Sequence, residues 1–256
     1  MAKEKKTVLV TRQEQLGDDV WSLWLKAGSM ALEAGPGQFI CVYSKDGSRL
    51  LPRPLSICEI NREKEELRIV YRVVGAGTEE FALLKEGDLV DILGPLGNGF
   101  PKVSPDKRVL LMGGGIGIPP MLELAKRLEG TKTVVLGYRD QLFLNQEFEP
   151  YGKVMIATED GSAGTKGNVL DAVREHGVEA DVIMACGPTA MLRAIKAYGA
   201  KEHIECYISL EEKMACGIGA CLACVCETKE VDPHSNVRNK RICKDGPVFA
   251  AEEVEL

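Results

Sequence analysis

Residues 108–120 read Arg-Val-Leu-Leu-Met-Gly-Gly-Gly-Ile-Gly-Ile-Pro-Pro. An apolar run followed at once by clustered glycines predicts a buried strand that turns tightly into a helix. Gly113, Gly115 and Gly117 let the backbone approach a pyrophosphate, and Pro120 suits the first turn of the helix. The stretch therefore predicts a dinucleotide-binding loop. Its alternative is a purely structural connection between strand and helix.

The loop lies near the start of a long segment in which two patterns alternate. From about residue 106 to residue 210, short apolar runs alternate with stretches of helical spacing. This alternation predicts a doubly wound parallel sheet. Strands are expected at residues 108–112, 133–138, 153–158, 181–185 and 205–209, and helices at residues 119–128, 169–176 and 189–199.

The part of the chain before residue 104 has a different rhythm. Short β-branched or apolar runs are separated by turn residues such as Gly35-Pro36-Gly37. Six such runs without a long helix predict a small six-stranded antiparallel barrel. The strands are expected at residues 7–12, 20–26, 38–43, 53–59, 66–74 and 88–93, with one helix at residues 78–85.

Near the C-terminus, Cys216, Cys221 and Cys224 are spaced Cys-x4-Cys-x2-Cys, and Cys243 follows later. Three cysteines at this spacing with a fourth further on form the plant-type ligand pattern of a 2Fe–2S cluster. A zinc site is the alternative, although structural zinc normally takes two paired cysteine knuckles. Cys226 also competes with Cys243 as the fourth ligand, because residues i and i+2 of a strand share a face.

Bulk composition excludes several classes of protein. The chain has 256 residues, 45% hydrophobic residues and a net charge of −6, which fits a globular protein and argues against nucleic-acid binding. No apolar run is long enough to span a membrane, and no secretory signal is recognisable. Nine cysteines without secretion predict a reducing, cytoplasmic location. Cys41, Cys58 and Cys206 are expected to fill the core.

The barrel segment carries two further motifs about twenty residues apart. In Arg53-Pro54-Leu55-Ser56, the arginine offers a planar fork suited to phosphate, and the proline presets the backbone. Gly75, Gly77 and Thr78 open the expected helix and present backbone N–H groups to a pyrophosphate. Alone, either motif is equally well explained as an ordinary turn.

Together these motifs resemble the flavin domain of the ferredoxin-reductase family. The resemblance implies that Arg53 pairs with the phosphates of FAD, that Ser56 lies beside the flavin N5, and that the strand Val70-Tyr71-Arg72 lines the flavin. The loop at residues 113–120 resembles the Gly-x-Gly-x-x-Pro loop by which the same family binds NAD(P)H.

Cys186-Gly187-Pro188 follows the fourth expected parallel strand. In the family this motif places a small polarizable side chain near the reacting nicotinamide carbon, which makes Cys186 the one candidate beside the reaction. A core cysteine is the alternative. Glu159 and Asp160 follow the third strand and would repel a 2′-phosphate, which favours NADH, although Arg139 points the other way.

Over its whole length the chain resembles the electron-transfer subunits of type B dihydroorotate dehydrogenases. The resemblance is most specific at residues 211–224 and 243–249. It implies FAD, a 2Fe–2S cluster and NAD(H) as cofactors, and a partner subunit with FMN that oxidises dihydroorotate in pyrimidine biosynthesis, two copies of each subunit forming a heterotetramer. The expected division is a flavin barrel at residues 1–103, a nicotinamide domain at 104–210 and a cluster segment at 211–256.

Three other functions remain open at this point. A related reductase subunit, such as that of a sulfide dehydrogenase or a ferredoxin-dependent transhydrogenase, would differ in its partner. An oxygenase reductase would pass electrons to a soluble acceptor. A non-catalytic redox sensor would use the cluster for regulation. His176, His203 and His234 show no paired spacing, so no catalytic role is assigned to them.

Overall fold

Six antiparallel strands close into a barrel in the N-terminal part of the chain, as the sequence predicts. The structure is a computed structural model that describes residues 3–231 and 236–256. The strand order is β1-β2-β5-β4-β3-β6. The strands are β1 (Glu4–Gln15), β2 (Val20–Lys26), β3 (Phe39–Tyr43), β4 (Arg53–Asn61), β5 (Glu66–Arg72) and β6 (Leu89–Leu96).

Two short helices accompany the barrel. Helix α1 (Ser29–Glu33) was not expected, because five residues are too few to show helical spacing. Helix α2 (Ala76–Ala82) begins two residues before the expected start and also ends earlier. Apolar side chains of the strands form most of the barrel core: Leu23, Ile57 and Ile69 are all completely buried.

The second part of the chain forms the parallel sheet with helices between its strands. Its order is β10-β9-β8-β7-β11-β12, and an antiparallel strand from the C-terminal segment, β15 (Val248–Ala250), follows β12 at the edge. The strands are β7 (Val109–Gly114), β8 (Lys132–Tyr138), β9 (Lys153–Thr158), β10 (Thr165–Lys166), β11 (Val182–Cys186) and β12 (Glu205–Ser209), and the helices are α3 (Pro119–Arg127), α4 (Val169–Glu175) and α5 (Thr189–Glu202). Short 3-10 turns occupy Gly115–Gly117 and Asn145–Tyr151.

The C-terminal segment contributes strands of its own. β13 (Val225–Glu227) and β14 (Asn239–Arg241) form an antiparallel pair, and β15 (Val248–Ala250) adds an antiparallel edge to the larger sheet by pairing with β12. The low periodicity of residues 211–256 predicts that the cluster alone organises this segment. That prediction is wrong for its last part. Phe249 and Val254 are buried, so apolar packing holds it as well.

Two of the three histidines end helices. His176 and His203 are the C-caps of α4 and α5, and His234 lies outside the described residues. Within residues 3–231 and 236–256, no helix is both long enough and apolar enough to cross a membrane.

Candidate functional site

A cavity of about 440 Å³ opens at the carboxyl edge of the parallel sheet. Ligands of doubly wound folds bind at this edge, outside the ends of the strands. Gly114 and Gly115 of the glycine-rich loop line the cavity, together with Pro188 at the start of α5. The size and position of the cavity fit part of a dinucleotide.

The glycine-rich loop and the Cys-Gly-Pro motif touch each other. A methyl group added at Gly117 would lie 2.4 Å from the carbonyl oxygen of Cys186. One added at Gly114 would lie 2.4 Å from Sδ of Met191, in the first turn of α5. Only glycine permits this close approach, so both motifs form one surface. Gly113 packs under the loop, where an added methyl would lie 3.0 Å from Ile118 Cα.

A second, narrower cleft lies between the barrel and the parallel sheet. Pro54, Leu55 and Ser56 of β4 line it from the barrel side. Gly117 and Cys186 line it from the other side. The two motifs that the sequence assigns to different domains therefore face each other across a single cleft.

The structure brings Arg53 to the first turn of α2. A methyl group at Gly77 would lie 2.4 Å from Nε of Arg53, so the guanidinium covers the glycine directly. Arg53 also donates a hydrogen bond to the carbonyl of Leu51. A guanidinium beside backbone N–H groups at a helix start suits a pyrophosphate.

Thr78 differs from the expectation in how it contributes. Its N–H donates to the Gly75 carbonyl at 2.9 Å, and its hydroxyl accepts from the Val74 N–H at 2.9 Å. The N–H of Thr78 is therefore already used in the turn and is not free for a ligand. Thr78 instead holds the turn in which Gly77 packs under Arg53.

The three residues expected to line the flavin point in two directions. Val70 lines the narrow cleft, and Arg72 lines the 440 Å³ cavity and pairs with Asp19 at 3.1 Å. Tyr71 lies between them on the strand, so its side chain takes the opposite face and packs edge-on against Phe81 inside the barrel. Only the backbone of Tyr71 remains on the cleft side.

The side chain of Cys186 lies at the floor of the narrow cleft. It is hydrogen-bonded to Ser209, and its burial raises the pKa of the thiol to about 12. A thiol with this pKa is neutral at physiological pH. It offers a small, polarizable wall and no base.

Besides Arg72, charged residues at the cavity come from the loops after β8 and β9. Glu159 and Arg139 both line the cavity. Asp160 instead caps its own turn, where its carboxylate accepts hydrogen bonds from the N–H and hydroxyl of Ser162 at 3.0 and 2.7 Å. Of the two carboxylates predicted to repel a 2′-phosphate, only Glu159 lines the cavity.

The cysteine loop is curled so that backbone N–H groups point at sulfur. Ile218 and Ala220 donate to Cys216 Sγ at 3.4 and 3.3 Å, and Gly219 donates to Cys243 Sγ at 3.1 Å. Gly217 and Gly219 have φ of 69° and 84°, which L side chains rarely adopt. Backbone donors around sulfur stabilise thiolates, as a cluster requires.

Backbone hydrogen bonds link the four cysteines in two pairs: the N–H of Cys221 donates to Cys216 Sγ and the N–H of Cys243 donates to Cys224 Sγ, both at 3.4 Å. Although burial opposes ionisation, the backbone N–H groups lower the pKa of Cys216 to about 6. Burial and the neighbouring Cys224 raise the pKa of Cys243 to about 12. Within the described residues, no three His, Cys, Asp or Glu side chains are placed to hold one metal ion together.

Cys226 turns away from these pairs. Its thiol donates to the carbonyl of Lys240 on the partner strand at 3.5 Å. Cys41, expected only as a core residue, lies under the cysteine loop: a methyl group at Gly217 would be 2.8 Å from its Sγ. Because Cys41 is opposite Pro54 in the β3–β4 pair, the loop and the narrow cleft share one wall of the barrel.

Several residues of the narrow cleft were not predicted from the sequence. They come from strands β3 and β12, from the glycine-rich loop and from the C-terminal segment, which meet only in the folded chain. They are Phe39, Ile116, Ser209, Leu210, Glu211, Met214 and Pro247.

Comparison with known proteins agrees with this arrangement. Residues 211–255 match the iron–sulfur cluster binding domain of dihydroorotate dehydrogenase B. The electron transfer subunit of dihydroorotate dehydrogenase B (NAD(+)) from Bacillus velezensis is 45% identical, with 99% of this chain and 100% of that protein covered. Its counterpart from Bacillus cereus is 42% identical, with 99% of both chains covered.

The chain belongs to the family of dihydroorotate dehydrogenase B electron transfer subunits. Identity of this level over the whole length confirms the family predicted from the cysteine spacing and the two nucleotide motifs.

Solved structures show the same fold beyond this family. An NADH-dependent reduced ferredoxin-NADP oxidoreductase, studied for flavin-based electron bifurcation, superimposes with a TM-score of 0.87 at 32% identity, covering 97% of this chain and 89% of that one. A ferredoxin reductase from carbazole 1,9a-dioxygenase has a TM-score of 0.67 at 18% identity, covering 80% and 67%, and shares the fold alone. The predicted combination of barrel, parallel sheet and cluster segment is thereby confirmed.

Proposed function

We propose that this chain carries electrons between NAD(H), FAD and a 2Fe–2S cluster. It would thereby couple an FMN-containing subunit that oxidises dihydroorotate to NAD⁺ in pyrimidine biosynthesis. The observation that carries this proposal is the narrow cleft, where Ser56 of the barrel faces Gly117 and Cys186 of the parallel sheet. Hydride transfer needs two reacting rings held in contact, and this cleft lies between the motifs that would hold them.

The flavin assignment rests on the barrel side of the cleft. FAD supplies the conversion between two-electron and one-electron transfer. Arg53 and the backbone at Gly77 would hold its pyrophosphate. Pro54, Leu55, Ser56 and Val70 would line the ring, Tyr71 would contribute only its backbone, and Arg72 would lie at the border with the nicotinamide cavity.

The nicotinamide assignment rests on the larger cavity. Gly113, Gly115, Gly117 and Pro120 would shape the loop that binds the pyrophosphate, with Gly187 and Pro188 closing it. Cys186 would form the neutral wall beside the reacting carbon. Glu159 at the cavity favours NADH, because its carboxylate would repel the 2′-phosphate of NADPH.

The cluster assignment rests on the two thiol pairs. Cys216 and Cys221 would ligate one iron, and Cys224 and Cys243 the other, which matches two irons bridged by sulfide. The N–H groups of residues 218–220 would donate to the sulfurs and stabilise their charge. The three segments, residues 1–103, 104–210 and 211–256, are accordingly proposed as flavin, nicotinamide and cluster units.

The partner is proposed to dock over the cysteine loop. Ile218, Leu222 and Val225 are 46%, 60% and 37% exposed on this loop and the strand after it. Exposed apolar side chains around an electron outlet suit contact with another protein. We propose a cytoplasmic heterotetramer of two copies of each subunit.

Spectroscopy of anaerobically purified protein tests the cofactors directly. We expect an FAD absorption spectrum that bleaches on addition of NADH and a 2Fe–2S EPR signal that appears with it. An FAD spectrum without the EPR signal would contradict the cluster assignment. Loss of NADH-dependent dye reduction would instead favour a redox sensor.

Co-purification tests the partner. The structural likeness to the ferredoxin-NADP oxidoreductase makes a related reductase subunit the second candidate. Recovery of an FMN protein that oxidises dihydroorotate supports the first proposal, and recovery of a different flavoprotein supports the second.

A further inference from the structure

A buried arginine joins the barrel to the parallel-sheet domain. Arg68 of β5 is 4% exposed and makes a two-pronged contact with Glu147, at 2.5 and 3.1 Å. Glu147 lies in the 3-10 turn Asn145–Tyr151, which belongs to the other domain. Arg68 also donates to Glu59 of β4 at 3.0 Å and to the Ser22 hydroxyl at 2.9 Å.

A buried carboxyl group makes a second contact between the same two domains. Glu123 of α3 is fully buried and accepts a hydrogen bond from the backbone N–H of Ile60, on β4, at 3.0 Å. Its other oxygen accepts from Arg127 at 2.6 Å. The β4–β5 pairing slips between Ile57 and Glu59, just before this N–H. The bulge gives β4 a bend at the point where α3 is attached.

One further ion pair links the same two elements. Lys126 of α3 contacts Glu59 of β4 at 2.5 Å. Helix α3 begins directly after the glycine-rich loop, and β4 begins with the Arg53 motif. The contacts therefore join the two elements that carry the two nucleotide motifs.

We propose that Glu59, Arg68, Glu123, Lys126 and Glu147 form an interdomain latch that fixes the flavin motif of β4 against the nicotinamide loop before α3. The proposal rests on the proposed function for the identity of the two motifs. The latch residues are positioning residues, since none of them lines the narrow cleft.

Charged contacts are suited to this task because of their geometry. An apolar interface tolerates sliding, whereas a buried ion pair or hydrogen bond is strong only at one distance and angle. Misplacing two reacting groups by about 1 Å can cost roughly 100-fold in rate. A latch that prevents sliding therefore acts on the rate of hydride transfer.

The test uses Glu147→Ala and Lys126→Ala, singly and together. Arg68 keeps Glu59 at 3.0 Å and Glu14 at 3.6 Å when Glu147 is removed, so the chain should still fold. Glu179→Ala is the matched control, because Glu179 pairs with Arg108 within one domain. The measurements, on the purified complex, are the single-turnover rate of flavin reduction by NADH, FAD content and the cluster EPR signal.

The expected result is a rate lowered by about tenfold to 100-fold in the double variant, with the FAD content, the EPR signal and the NADH concentration that gives half of the maximal single-turnover rate unchanged. The control should keep the wild-type rate. A double variant that reduces its flavin as fast as the control overturns the proposal.

Hydrogen exchange separates this proposal from the proposed function. Opening of the latch should speed exchange at the Ile60 amide and at the amides of residues 113–118 in the double variant only. If the wild type fails to reduce its flavin with NADH, the proposed function falls, and faster exchange in the double variant alone still supports the latch. Unchanged exchange overturns it.

Discussion

Gly75 and Gly77 look equivalent in the sequence, yet their surroundings differ completely. A methyl group at Gly75 would meet nothing within 4 Å, whereas one at Gly77 would lie within 2.6 Å of the Arg53 guanidinium carbon. Neither glycine has a φ that is strained for other residues. Alanine at either position reduces the backbone freedom of the turn, but only alanine at Gly77 would also displace Arg53. Comparing the two variants therefore isolates the effect of the position of Arg53.

We expect Gly77→Ala to weaken FAD binding and Gly75→Ala to leave it nearly unchanged. The added methyl displaces Arg53 and removes a charge-assisted contact with the pyrophosphate, worth roughly 1.5–3 kcal/mol. FAD dissociation constants should then differ by about tenfold or more. Fluorescence titration of the apoprotein with FAD measures this. Equal affinities of the two variants would remove Arg53 from the flavin site.

The fourth thiolate of the cluster is also decided at single residues. Cys243 contacts Cys224 and accepts from Gly219, whereas Cys226 donates to Lys240. We expect Cys243→Ser to lose or strongly alter the EPR signal and Cys226→Ser to keep it. Iron content per chain checks the result. The reverse pattern would make Cys226 the ligand.

At the scale of elements, the C-terminal segment consists of two parts held by different forces. The loop from Cys216 to Cys224 is shaped by contacts to sulfur, but β15 is hydrogen-bonded to β12 and carries the buried Phe249. Cluster formation and folding are coupled only where the cluster supplies the contacts.

Removal of iron should therefore loosen only the first part. We expect hydrogen exchange in the iron-free protein to rise at residues 216–227 and to remain slow at residues 248–250. The free energy of unfolding of the remaining sheet should change little. Fast exchange along β15 would show that the cluster organises the whole segment.

A strand or helix could be predicted from the sequence only where consecutive residues form a recognisable pattern. The β7 strand, its glycine loop and α3 were predictable because buried-strand residues, glycines and prolines occur consecutively. Helix α1 and strand β10 have five and two residues, too few for a pattern. Because side chains alternate between the two faces of a strand, Tyr71 must point away from the face shared by Val70 and Arg72. The family motif names the three residues consecutively and does not show this alternation.

At the scale of the whole molecule, exposed apolar side chains occur both on the cysteine loop, where the partner is proposed to dock, and on the barrel. Leu222 beside Cys221 is 60% exposed, and Leu32 in α1 on the barrel is 50% exposed. We expect Leu222→Asp to weaken association with the catalytic subunit by about tenfold or more, because a charge is buried at the interface. Leu32→Asp is the matched control.

Two measurements check this prediction together. Sedimentation or light scattering reports the assembly, and NADH-dependent dye reduction by the isolated chain reports its own cofactors. Leu222→Asp should impair the first and preserve the second. Dissociation by Leu32→Asp alone would place the partner on the barrel.

The sequence by itself determined the ligand types and the local turns: four thiols at cluster spacing, a glycine-rich strand-to-helix turn and an arginine motif on a strand. These depend on residues close together in the chain, where spacing and backbone freedom act directly. Only the tertiary structure decided that Ser56 faces Cys186, that Cys41 lies under the cysteine loop and that Arg68 meets Glu147. Those contacts join distant segments, and their geometry follows from how the barrel packs on the sheet, which no local pattern encodes.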